Sequence, residues 1–104
     1  MTNFNQIIKQ AQQMQAKMAE AQTKLEQIQV EGTAGGGMVI ATMSGKGNLI
    51  SIKISPEIVD PKEIEMLEDL IVAAINDGKT KAEAKAAEEM EKVTGGMKLP
   101  GGLF

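Results

Sequence analysis

Eight apolar residues near the N-terminus, Phe4, Ile7, Ala11, Met14, Met18, Ala21, Leu25 and Ile28, follow one another at alternating intervals of three and four. A 3.5-residue period held for about four heptads marks a helix that buries one narrow seam against another helix. The positions between are mostly Gln, Lys and Glu, which form helices readily. The spacing therefore predicts one helix over residues 1–30. At ~1.5 Å per residue it would be roughly 40 Å long, more than a compact monomer of 104 residues can cover. Part of the seam, in which Ile7, Met14, Met18, Leu25 and Ile28 supply much of the bulk, must find a partner.

The period then changes. Val30, Gly32 and Ala34 alternate with Glu31 and Thr33, and Gly35-Gly36-Gly37 signals a turn. Met38 to Ser44 is rich in strand formers, Gly45-Lys46-Gly47-Asn48 makes a second turn, and Ile50, Ile52 and Ile54 alternate with Ser51 and Lys53. Residues 30–55 thus predict a three-stranded antiparallel meander with one buried face. A second helix is expected over 60–94. Asp60 suits its N-cap, Pro61 its first position and Glu63 the capping-box spacing, while Ile64, Leu67, Leu70, Ile71, Ala74 and Ile75 form its apolar face. Gly78 costs this helix ~1 kcal/mol relative to Ala, yet the Ala, Glu and Lys that follow favour its continuing to Thr94. Residues 95–104, with Gly and Pro, read as a flexible tail. The fold class is α+β, a single α-β-β-β-α domain.

Composition narrows the chemistry. With no His, Cys, Tyr or Trp, the chain lacks the commonest general base, thiolate ligands and any Ser-His or Cys-His pair. No enzyme, metal, cofactor or small-molecule substrate is expected. Glu63, Glu65, Glu68 and Asp69 read as a solvated acidic face. Ser44-Gly45-Lys46-Gly47 lacks phosphate-loop spacing and joins two strands, so it reads as a hairpin turn. No apolar run approaches the ~20 residues of a membrane span, and no signal peptide opens the chain. A cytoplasmic location, with no membrane partner, follows as the expectation.

The net charge is -3, and all eleven basic residues are Lys. Their distribution is uneven. Glu57, Asp60, Glu63, Glu65, Glu68, Asp69 and Asp77 face Lys62 alone within residues 57–78, whereas residues 1–19 hold Lys9 and Lys17 and no acid. The first helix runs into the sheet and the second runs out of it. The start of one and the end of the other are therefore expected to lie together, away from the sheet and its acidic neighbour. Lysines there would meet phosphates while the acidic body is repelled. On this reading Lys9, Lys17, Lys85, Lys92 and Lys98 contact duplex DNA, and Lys24 sits too near the sheet. Without Arg, the best bidentate reader of guanine, binding should be micromolar, salt-sensitive and sequence-tolerant, in the range of ~10⁻⁴ to 10⁻⁶ M. The plainer alternative is that scattered lysines keep the helices soluble.

Four segments in order, Val30–Val39, Ile52–Glu57, Leu67–Asn76, and Thr94-Gly95-Gly96 with Pro100-Gly101-Gly102-Leu103-Phe104, resemble the YbaB/EbfC family of bacterial nucleoid-associated proteins. The resemblance spans nearly the whole chain. It implies an α-β-β-β-α homodimer joined through the sheets, with helices projecting like tweezers. It also implies DNA binding with little sequence preference, nucleoid organisation and effects on transcription. It carries no DNA contact to a particular residue here. The competing reading is a protein–protein adaptor whose seam captures a partner helix.

Overall fold

The computed structural model describes residues 4–94. Among these the order is α1 Phe4–Gln27, β1 Gln29–Ala34, β2 Val39–Ser44, β3 Leu49–Ile54 and α2 Ile64–Thr94, with a 3-10 turn at Pro56–Ile58 before α2. This is the α-β-β-β-α order that the sequence predicts. The expected tail, and Lys98 within it, lie outside the described residues.

The strands form one antiparallel sheet in the order β1-β2-β3. Alternation sends Val39, Ala41 and Met43 to one face, where all three are buried. Ala74 of α2 completes the buried cluster, and half-buried Ile52, Ile54, Leu70, Ile71 and Ile75 surround it. Burying side chains such as Val39 and Met43 contributes about 1.5–3 kcal/mol each. The connection between β1 and β2 needs three successive positive φ angles, 62°, 67° and 92°, at Gly35, Gly36 and Gly37, a region that costs side-chain-bearing residues ~1–2 kcal/mol each.

Gly78 does not interrupt α2. Its role emerges from its neighbour: β1 crosses α2 at Gly32, where the two backbones touch. A Cβ on Gly32 would stand 2.6 Å from Gly78 Cα and closer still to the Ala74 carbonyl oxygen, and one on Gly78 would meet the Met43 sulfur at 2.7 Å. The pair lets helix and strand approach without side chains between them.

Two expected boundaries move. α1 ends at Gln27, not at residue 30, so Ile28 follows the helix and bonds back from its N–H to the Lys24 carbonyl at 3.0 Å. The Gly45 N–H donates to the Leu25 and Ile28 carbonyls, both at 2.9 Å, and so satisfies the end of α1 from the β2–β3 turn. α2 starts at Ile64, not at 60. The Asp60 carboxylate accepts from the Lys62 N–H at 3.0 Å, and the Asp60 carbonyl from the Glu63 N–H at 2.9 Å. Asp60 and Pro61 build a turn with these bonds, and the helix begins beyond it.

The two sheet edges differ. On β1, the Thr33 N–H donates to the Asp77 carboxylate at 2.9 Å, and Lys81 donates to the Glu31 carbonyl at 2.9 Å. Those contacts close an edge that would otherwise present free strand groups. Leu49, Ile50, Val59, Ile64, Met66 and Val72, drawn from the other edge strand β3, the connection after it and the first turns of α2, stay exposed.

Candidate nucleic-acid interface

Past the sheet, α2 leaves the body and α1 runs back along it. Ala21 and Leu25 are the buried residues of α1, and Ala82 and Glu89 are buried on this half of α2. Leu25 shares a groove of about 680 Å³ with Gly45, Lys79, Ala82 and Ala86. Further out, Lys17, Glu20, Ala21, Lys24, Glu89, Lys92 and Val93 line a cleft of about 410 Å³. The helices are therefore antiparallel, and among the described residues the start of α1, residues 4–16, is exposed except for half-buried Met14. At ~1.5 Å per residue this tip is about 20 Å long. The molecule measures 74 × 26 × 16 Å, and its radius of gyration of 19.7 Å exceeds the ~13 Å of a compact domain of this size.

Glu89 holds the arm together. It is 3% exposed, and its carboxylate meets Lys24 of α1 at 3.2 Å and Lys92 at 3.1 Å. A buried carboxylate so paired keeps its charge. The hydrogen bond from Lys92, then that from Lys24, holds its pKa below the ordinary value against the opposing effect of burial. Lys92 is correspondingly raised, chiefly by its bond to Glu89. At the sheet, the backbone N–H of Thr33 and then Lys81 lower the pKa of Asp77 in the same way.

The five candidate lysines fall into distinct settings. Lys9 is exposed on the free tip, and Lys17 is exposed at the mouth of the cleft. Neither forms an ion pair among the described residues. Lys92 shares the cleft with Lys17 but is engaged by Glu89, with Glu88 at 4.0 Å. Lys85 lies nearer the sheet and pairs with Glu88 at 3.5 Å. Lys98 is outside the described residues. Of the seam residues, Leu25 is buried, Met14 and Ile28 are half-buried, and Ile7 and Met18 are exposed.

Sequence reasoning missed Glu89. Its signal was the Lys three residues on, combined with Lys24 flanking the seam of α1. The Gly45-Lys46-Gly47-Asn48 segment is a hairpin turn with three amides engaged within the fold: Gly45 donates to the Leu25 and Ile28 carbonyls, Gly47 to the Ser44 carbonyl, and Asn48 to the Ser44 hydroxyl. Glu63, Glu65, Glu68 and Asp69 are all exposed, and no metal-holding group of three or more acidic side chains occurs among the described residues.

Residues 1–97 match the YbaB/EbfC DNA-binding family. A nucleoid-associated protein of Granulibacter bethesdensis is 59% identical over 103 residues, covering 99% of this chain and 96% of that protein. One from Rhodospirillum rubrum is 52% identical with the same coverage. One from Alkaliphilus metalliredigens is 50% identical over 99 residues, covering 95% of this chain and 87% of the relative. The crystal structure of an uncharacterized protein from Helicobacter pylori shares the fold, with a TM-score of 0.76 and 21% identity over 88% of this chain and 97% of that one.

Proposed function

The chain belongs to the YbaB/EbfC DNA-binding family, and we propose that it is a nucleoid-associated protein that grips duplex DNA phosphates with its arm. The observation that carries this reading is the acid-free tip of α1, where Lys9 and Lys17 are exposed and unpaired among the described residues. Point-charge lysines suit phosphates, which are alike at every base pair, so sequence preference is low. Lys85 and Lys92 join them when phosphate displaces Glu88 or Glu89, and Lys98, outside the described residues, is a further candidate contact. The acidic opening of α2 keeps the body off the duplex.

The chain acts as a single domain and as a homodimer in the cytoplasm, on the nucleoid. The exposed apolar residues of β3 and the start of α2 are its dimer surface. Two arms on one dimer touch separate phosphate stretches, which alters DNA conformation and, through it, nucleoid organisation and transcription. This function uses no cofactor and no catalytic step. Anisotropy titrations of several unrelated duplexes test it: affinities agree within a few-fold, and all weaken steeply between about 50 and 200 mM salt. Binding indifferent to salt, or none at the lower concentration, overturns the phosphate reading. Sedimentation equilibrium tests the dimer, and a monomer overturns it.

A further inference from the structure

The seam of α1 is continuous, but among the described residues only Ala21 and Leu25 of the helix are buried. Ala21 and Leu25 are buried on α2, whereas Phe4 is 73% and Ile7 49% exposed, with Ile8 beside them at 44%. The three-four spacing runs unbroken from the packed half into the free one, so the shape that fits the free half is another helix. The positions flanking it are Ile8, Gln10, Gln15 and Lys17. None is acidic and only one is charged, which suits a copy of the same surface. In an antiparallel pairing with Ile7 of one copy opposite Ala11 of the other, and Phe4 opposite Met14, Gln10 falls beside Gln10, the partner stops short of the stretch that packs on α2, and no two lysines meet. Ala11 at the centre lets the backbones come close. Lys9 lies on the far side of the helix from the seam, so a paired tip still offers it to phosphate.

We propose that the tip of α1 is a second homotypic surface, on which the tip of another copy packs antiparallel when DNA holds the two together. The dependence on DNA rests on the phosphate reading above and follows from size. About two heptads form a marginal helix pair, and such a contact buries less than the ~1,200 Å² of stable interfaces. Copies bound to one duplex, or to two neighbouring ones, raise the local concentration that the contact lacks in free solution. With the dimer surface at the opposite end of the molecule, tip contacts link dimer to dimer and bridge DNA segments.

The chain has no cysteine, which makes cross-linking direct. Full-length Ala11→Cys, on the seam, and Ala16→Cys, on the opposite face, are treated with a short bismaleimide with and without long duplex DNA. Covalent pairs through Ala11→Cys rise about tenfold with DNA and those through Ala16→Cys do not. Adding Ile7→Gln removes the rise while affinity for a duplex too short for two dimers is unchanged. Equal cross-linking at the two positions, or no rise with DNA while short-duplex binding is intact, overturns the tip contact and leaves the phosphate reading standing. Protection of Ala11→Cys from alkylation without DNA shows the stripe already covered and overturns the contact as well. Failure of the unsubstituted chain to bind the short duplex overturns the phosphate reading itself.

Discussion

At the sheet end, β1 and α2 meet backbone to backbone at Gly32 and Gly78 over a face of Val39, Ala41 and Ala74. At the arm end, α1 and α2 meet through Ala21, Leu25 and Ala82, and through one buried carboxylate shared by two lysines. The first contact leaves no room for a single added carbon. The second is narrow and includes an ion cluster open to solvent on its lysine side, so it responds to salt and competing anions. Lys9 and Lys17, which hold no ion pair among the described residues, stand at the far end of the adjustable half. The rigid half fixes where the arm points, and the arm presents the charge.

The largest expected effect is in the body. Gly32→Ala drives a Cβ into the Ala74 carbonyl and Gly78, neither of which can turn aside. We expect a loss of about 3 kcal/mol or more in urea denaturation, a large part of what holds a domain of this size together. Gly36→Ala, with open space around it but a φ of 67°, costs only ~1–2 kcal/mol. Near-normal stability of Gly32→Ala would break the comparison at its rigid end.

Next comes the tip. Lys9→Gln with Lys17→Gln weakens DNA binding about tenfold at ~50 mM salt, and the thermal transition stays in place because neither lysine holds an ion pair among the described residues. A lowered midpoint would show these side chains to be structural.

A smaller effect is expected at the latch. Glu89→Gln keeps the shape and frees Lys24 and Lys92. Amide exchange quickens in the paired stretches of α1 and α2 while the sheet stays protected, and DNA affinity rises about two- to threefold through the released charge. Unchanged exchange would mean that the apolar contacts alone hold the arm.

The smallest effect is with pH. Glu89 and Asp77 have lowered folded-state pKa values. Their contribution is complete above the ordinary carboxylate values of 4.5 and 3.8 and is lost as pH falls through the lowered folded values. Lys92 is raised, so its contribution is complete below 10.5 and lost as pH rises through the folded value. Stability is therefore flat across neutral pH and declines at both extremes. Asp77→Asn removes acid sensitivity at the sheet, and Glu89→Gln removes it in the arm. A denaturation midpoint that moves with pH near neutrality would contradict both assignments.

The sequence made the local features legible. Alternation in Ile50, Ile52 and Ile54, three consecutive glycines, and a 3.5-residue seam each specify their element within a few residues. What it hid depends on pairs distant along the chain. Gly78 read as a weakness because nothing nearby shows that Gly32 lies against it. Asp60 read as a helix cap because the turn it forms uses the same residue types. Lys85 and Lys92 read as available although Glu88 and Glu89 stand three residues away on the same helix, and what stayed hidden is that Lys24 of α1 shares Glu89 and that α1 buries it.

The division between a holding body and a DNA-facing tip is tested most directly by salt dependence. Titrations of one duplex from about 50 to 200 mM salt compare the tip pair Lys9→Gln/Lys17→Gln with the body pair Lys53→Gln/Lys62→Gln. We predict that the slope of log affinity against log salt becomes shallower by about one for each tip lysine lost, and that the body pair leaves it unchanged. An equal change in both, or an unchanged slope for the tip pair, would contradict the account.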